Sequence, residues 1–219
     1  MPARLRPTAP IAADAILVGD PGRALMLAQA LLEQPKMSNH ARGLWGYTGL
    51  TPAGHELSLQ STGMGGPSAA LVLADLAELG VRRAIRIGTC AAIAPELELG
   101  QLLVVAEAHA WGGPGGGTGA SAMPDSALAS RLSEALGEGA CAATVASLDV
   151  LHIHGTTALA AGEAADMQTA ALLARGRELG VAVAATLIVT ATSEAHLDDA
   201  AAEAMAKRAG IAAAAVLSS

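Results

Sequence analysis

Three glycine-bearing strings hold the residues most able to do chemistry: Gly19-Asp20-Pro21-Gly22-Arg23, Gly63-Met64-Gly65-Gly66-Pro67-Ser68 and Arg86-Ile87-Gly88-Thr89-Cys90. Each follows or closes a short apolar run that reads as a strand, so each is a loop at a strand's C-terminal end. In open α/β sheets, ligands bind outside the carboxyl ends of the strands. Glycine lets the backbone approach an anion, and a helix N-terminus turns N–H groups and positive dipole toward it. Arg86 is the sharpest single residue. It stands inside the apolar string Arg83-Ala84-Ile85-Arg86-Ile87, with no acid nearby in sequence, and a buried guanidinium requires a partner. Two kinds of partner fit its planar fork of donors: a phosphate, or a carboxylate brought from elsewhere in the fold. Arg23 alone reads as a solvated first-turn residue, and a glycine-rich turn alone is weak. Their coincidence argues for an anion site.

Other chemistries find less support. No G-x-x-x-x-G-K-[ST] string occurs, and no G-x-G-x-x-G follows the first strand, which excludes the two commonest phosphate-loop fingerprints. His152 and His154 share one strand face at i, i+2 spacing, but no third ligand accompanies them, so no metal is expected. Cys90 and Cys141 make neither a disulfide framework nor a zinc set. The net charge is −7, the 13 Lys and Arg never cluster, and Phe is absent beside two Trp and one Tyr. Both phosphate neutralisation and base stacking are therefore poorly served, which argues against a nucleic-acid partner. Mean hydropathy is +0.43, yet apolar stretches such as Val181–Thr192 fall short of the roughly 20 residues a spanning helix needs. Met1-Pro2-Ala3-Arg4-Leu5-Arg6-Pro7 lacks the apolar segment of a signal peptide. The expectation is a cytoplasmic protein without a membrane partner.

The elements that must position these loops follow from the apolar periodicity. Strands are expected at 14–18, 43–49, 56–61, 83–88, 102–106, 141–147 and 181–189. Helices are expected at 22–33, from the second glycine loop to Gly80, at 126–136, at 164–179 and from about Asp198. The glycine-dense stretch Trp111–Pro124 reads as a mobile surface loop. With 219 residues and 52% hydrophobic content, one sizeable domain spanning 1–219 is expected. Strands alternating with helices argue for an α/β layered fold with a mostly parallel sheet.

Taken together, the strings resemble nucleoside phosphorylase family I, whose members include bacterial hexameric purine nucleoside phosphorylases and uridine phosphorylases. The matching strings are Leu17-Val18-Gly19-Asp20-Pro21-Gly22-Arg23, Arg42-Gly43-Leu44-Trp45-Gly46-Tyr47-Thr48-Gly49, Gly63-Met64-Gly65-Gly66-Pro67-Ser68-Ala69-Ala70 and Arg86-Ile87-Gly88-Thr89-Cys90. The likeness runs from about residue 4 to 108 and resumes more loosely at 146–149 and 166–173. It implies a three-layer domain with a mixed central sheet flanked by helices. It also implies phosphorolysis of a nucleoside, with inorganic phosphate as co-substrate and no cofactor. By position, Gly19, Arg23, Arg86 and Thr89 match the family's phosphate cradle. Arg42 matches an arginine lent by the neighbouring subunit, which makes a dimer the minimal unit of an expected hexamer. Met64 and Met167 match residues beneath the ribose, and Cys90, Ala91, Leu151 and Asp166 fall where the base is held.

The second half departs from the family pattern. Where the family has Glu-Met-Glu, with an acid gripping the ribose hydroxyls, this chain has Asp166-Met167-Gln168. Arg4 aligns with a histidine that approaches the 5′-hydroxyl from an adjacent subunit. Where purine enzymes place an acid on the departing base, this chain reads Ala191-Thr192-Ser193-Glu194, so Glu194 or Ser193 occupies the catalytic position beside Arg86. A neutral Gln168 facing ribose implies weak turnover of ordinary purine nucleosides, raised by Gln168→Glu. A purine-type phosphorylase is the first reading. A uridine or unusual-nucleoside phosphorylase, and an impaired phosphate- or nucleotide-binding member, stay open beside it.

Overall fold

A computed structural model of the chain describes residues 4–111, 118–151 and 162–219. The run Asp14–Val18 is buried throughout and forms β1. The Asp20 carboxylate then accepts from the Arg23 N–H at 2.7 Å and caps α1, Pro21–Leu31. Pro21 suits this first turn because its missing N–H would have no helical partner. The chain continues through β2 (Glu33–Asn39), a 3₁₀ turn (Ala41–Gly43), β3 (Gly46–Leu50), β4 (Glu56–Ser61) and α2 (Gly66–Glu78). Next come β5 (Arg83–Ala92), β6 (Leu102–Trp111), β7 (Thr118–Ala122), α3 (Ser126–Leu136) and β8 (Ala140–Leu148). The last four elements are β9 (Ala164–Asp166), α4 (Thr169–Leu179), β10 (Ala182–Ala191) and α5 (Asp199–Leu217).

The strands form one sheet in the order β2-β3-β4-β1-β5-β9-β8-β6-β10, with β7 paired to β6. Because β10 also pairs with β5, the strands β5, β9, β8, β6 and β10 close into a ring. Alternation along the strands feeds two cores. Leu17, Val105 and Leu187 pack with Leu73, Leu76 and Leu173 of α2 and α4. Ile16, Ile85 and Ile188 pack with Leu27, Leu132 and Ala213 of α1, α3 and α5. Each fully buried leucine or isoleucine contributes roughly 1.5–3 kcal/mol of transfer free energy. Helices therefore cover both faces of a central sheet.

Several expectations need correction. The sheet is mixed, as the family resemblance implied, and not mostly parallel, as the alternation of strands and helices alone suggested: the pairs β1–β4, β1–β5, β5–β10, β6–β8 and β8–β9 are parallel. The pairs β6–β10, β2–β3, β3–β4, β5–β9 and β6–β7 are antiparallel. Hairpins supply most of the latter. β2 was not expected, because Pro35 and its charged neighbours hide a strand; both features belong at a sheet edge, where β2 lies. The stretch Trp111–Pro124 is not simply a loop. β6 extends to Trp111, and β7 pairs with it through Ala108↔Ala122 and His109↔Ser121, while residues 112–117 lie outside the described residues. The expected helix at 164–179 divides into β9 and α4, because the Asp166 carboxylate accepts from the Thr169 N–H and starts the helix there. The strand expected from Gly43 begins at Gly46, after the 3₁₀ turn. Among the described residues, no helix is long and apolar enough to cross a membrane.

Candidate active site

β4, β1 and β5 lie side by side and parallel, in a register that aligns Ser61, Val18 and Ile87. Gly63, Gly19 and Gly88 follow these residues, so the three glycine strings meet at one place in the sheet. The first two are loops, but Gly88 and Thr89 are not the loop expected there, because β5 runs on to Ala92 and pairs with β10 through both. The three strings line a cleft of about 380 Å³. Gly63 and Gly65 hold φ of 71° and 80°, a left-handed backbone that side chains rarely adopt. Gly88 is required for another reason: a Cβ there would lie 2.6 Å from Nη2 of Arg86. The α1 and α2 N-termini open beside the cleft, with Asp20, Pro21 and Gly65 among its lining.

Arg86 shares its strand face with Ala84, toward the core beneath α2 and α4. Its three guanidinium nitrogens reach three acceptors: Nη2 donates to Asp166 Oδ2 at 3.0 Å, Nη1 to Gln168 Oε1 at 2.6 Å, and Nε to Thr169 Oγ1 at 3.2 Å. Asp166 is buried and fixed in turn, accepting from Ser147 Oγ at 2.5 Å and from the Thr169 hydroxyl at 2.6 Å. The sequence offered a phosphate or a carboxylate for Arg86. The fold supplies the carboxylate, and it leaves the guanidinium on the cleft wall. Ser147, Thr169 and Thr62 were not anticipated. The Asp166-x-x-Thr169 spacing is a helix-start signal that could have revealed Thr169, whereas Ser147 carries no local signal.

Arg23 is the complement of this arrangement. It lines the cleft half-buried, and no hydrogen bond or ion pair engages its guanidinium among the described residues. Burial pushes its pKa below the ordinary arginine range, Asp20 opposes that, and the like charge of Arg86 adds to it. The side chain stays charged, because guanidinium is not deprotonated in proteins. The lining sets two arginines, Arg23 and Arg86, against two acids, Asp20 and Asp166. Asp166 is taken up by Arg86, and what the free donors of the Arg23 guanidinium can do chemically is hold an anion. Thr89 and Gly19 border the same space.

A sequence model described as "Phosphorylase superfamily" matches residues 14–219. The chain belongs to the phosphorylase superfamily. It is 41% identical over 95 residues to a "Purine nucleoside phosphorylase DeoD-type" of Oceanobacillus iheyensis, covering 43% of this chain and 40% of that protein. A protein of the same name from Caldanaerobacter subterraneus subsp. tengcongensis is 39% identical over 99 residues, covering 45% and 42%. The matched stretches thus span less than half of these relatives' own length. The fold matches that of uridine phosphorylase from Vibrio fischeri ES114, with a TM-score of 0.79 at 22% identity, covering 94% and 92% of the two chains. The superfamily match and this likeness agree with the mixed sheet between helices.

The remaining expected site residues divide between the cleft and other parts of the molecule. Met64, 82% exposed, stands at the rim of this phosphorylase-superfamily cleft, with Met167 and Leu151 also lining it. Gln168 reaches the cleft wall, but both ends of its amide are taken by protein: Oε1 by Arg86 and Thr62, Nε2 by the Gly63 carbonyl at 2.6 Å. This differs from an amide facing ribose. Cys90 and Ala91 do not line the cleft: both are buried, and Ala91 pairs with Ala165 of β9. Burial pushes the Cys90 thiol far up, which makes it inert. Ser193 and Glu194 sit on an exposed turn after β10 and do not line the cleft, because Thr192 gathers the N–H groups of Glu194 and Ala195 on its hydroxyl. Arg42 lines a separate concavity with Arg6, Thr8 and His40. Arg4 is ion-paired to Asp75 at 3.1 Å. Both stand apart from their own chain's cleft. His152 and His154 lie outside the described residues.

Proposed function

We propose that the protein cleaves a nucleoside, purine before pyrimidine, with inorganic phosphate. A phosphate oxygen bonds to C1′ of the sugar, the bond from C1′ to the base nitrogen breaks, and its electron pair leaves with the base, which takes up a proton. The products are ribose 1-phosphate and the free base. The observation that carries this reading is Arg23: a desolvated arginine whose guanidinium has no hydrogen bond or ion pair among the described residues, lining a glycine-bearing cleft beside Arg86. Gly19, Thr89, Arg23 and Arg86 would hold the phosphate, and Met64, Met167 and Leu151 would floor the sugar and base. Catalysis then rests on holding the anion beneath C1′ and on fixed positive charge around it. The names of the curated relatives support the purine preference. No cofactor enters this chemistry.

The same reading takes Arg42 and Arg4 from a second copy of the chain, with a dimer as the smallest complete unit and a hexamer as the assembly. Arg42 holds a left-handed backbone at φ 60°, unusual for a residue other than glycine. Such strain is most often kept where a side chain has work to do. The test is base release from a panel of purine and pyrimidine nucleosides with and without phosphate, alongside light scattering. Phosphate-dependent release by an oligomer is expected. Release that ignores phosphate, or a monomer of full activity, would overturn the reading.

A further inference from the structure

The placement of Gln168 assigns it a different task from contacting a sugar. The side chain is 4% exposed, and its surroundings fix which end of the amide is which. The end facing Arg86 must be an acceptor, since the guanidinium only donates, and it accepts at 2.6 Å from Nη1. The Thr62 hydroxyl lies 3.2 Å from it and shares its one proton with the Val18 carbonyl at 3.0 Å. The end facing the Gly63 carbonyl must be a donor, and it donates at 2.6 Å. Thr62 in turn donates from its N–H to the Val18 carbonyl at 2.7 Å. One amide therefore ties the end of β4 and the second glycine loop to Arg86 on β5, and through Thr62 to the end of β1.

A carboxylate could not take this place unchanged. Its two oxygens only accept, so one would face the Gly63 carbonyl with lone pair against lone pair. It would also change the charge of the group. Asp166 already sets one negative charge against Arg86 at 3.0 Å, and a second would leave the group net negative at the wall where an anion has to sit. We infer that Gln168 is a positioning residue whose neutrality is its function: it orients Arg86 and holds the Gly63 loop while keeping a second negative charge off the wall where the anion sits. This inference rests on the anion-binding reading of the cleft. It also reverses the sign expected of Gln168→Glu.

The test is calorimetric titration of inorganic sulfate and phosphate into the wild type, Gln168→Glu and Gln168→Met. Sulfate keeps its charge across the carboxyl titration range, so any pH dependence belongs to the protein. At neutral pH, Gln168→Glu is expected to weaken sulfate binding by at least about tenfold, the scale of one charge-assisted contact. Affinity should recover as pH falls through the glutamic acid range, about 4.3 when unperturbed. There the protonated acid is neutral and offers an O–H to Gly63, as the amide does. Gln168→Met should weaken binding without that recovery, and it keeps the test alive if Gln168→Glu fails to fold. A wild type that binds neither anion would overturn the anion reading itself. A wild type that binds, with a Gln168→Glu variant that binds as tightly at neutral pH or a Gln168→Met variant that binds unchanged, would overturn this inference alone.

Discussion

Arg83 and Arg86 stand three residues apart on β5, and each meets a buried aspartate, yet the two pairs are built differently. Arg83 grips Asp14 with two parallel bonds, Nε to Oδ1 and Nη2 to Oδ2, both 2.7 Å. His55 Nε2 closes the other side of Asp14 at 2.8 Å, and Arg83 also reaches the Leu217 carbonyl at the end of α5. The Asp14 hydrogen bond raises the Arg83 pKa further. That cluster is closed on itself and clamps the C-terminal helix to the start of the sheet. Arg86 instead divides its donors among an acid, an amide and a hydroxyl, with the Arg23 guanidinium, unbonded among the described residues, nearby and open space in front. The lesson is that burial and an acidic partner do not distinguish a structural arginine from a working one. What distinguishes them is whether donors are left free beside the pair and whether the group faces a cavity.

The comparison predicts opposite behaviour at the two sites. Arg86→Ala should abolish phosphate binding in calorimetry. It should also lower stability by about 3–5 kcal/mol in denaturant melts, because Asp166 is left buried and uncompensated. Adding Asp166→Asn should restore part of the stability but no binding. Arg83→Ala, in a pair 31% and 7% exposed, should cost less stability, about 1–3 kcal/mol with solvent screening, and leave phosphate binding intact. Loss of binding in Arg83→Ala alone would break the distinction. Arg23→Ala removes a desolvated cation that makes no hydrogen bond or ion pair among the described residues. It should weaken phosphate binding by about ten- to a hundredfold, the scale of one charge-assisted bond, with stability unchanged or higher. Gly88→Ala comes next: its Cβ would crowd Arg86 and Leu187, so a several-fold loss of phosphate affinity is expected at a stability cost of roughly 1–3 kcal/mol. The smallest effect is expected at Glu194, on its exposed turn. Glu194→Ala should change stability by less than about 0.5 kcal/mol and turnover only slightly. A fall in turnover of about 10²–10⁴-fold would instead make it a general acid at the departing base.

Much of this molecule is legible in local sequence. The runs that became β1, β4, β5 and β8 carry their own burial signal, and Asp20-Pro21 and Asp198 mark helix starts through chemistry confined to a few residues. The glycine loops and the arginines among them are likewise local, which is why an anion site could be read from spacing, and the family from the strings around it. Edge strand β2 was hidden because its polar, proline-bearing sequence signals an edge rather than a strand. Which partner Arg86 takes, and which way the Gln168 amide faces, could not be read at all. Asp166 and Gln168 lie 80 and 82 residues from Arg86 along the chain, and β9 brings them there by pairing with the far end of β5 at Ala91↔Ala165 and with β8 at Ser147↔Asp166. The sequence by itself determined the types of group present and the strand ends that carry them, because those depend on neighbours a few bonds away. Only the tertiary structure decided which charges cancel and which remain open to a ligand, because that balance depends on distances through space.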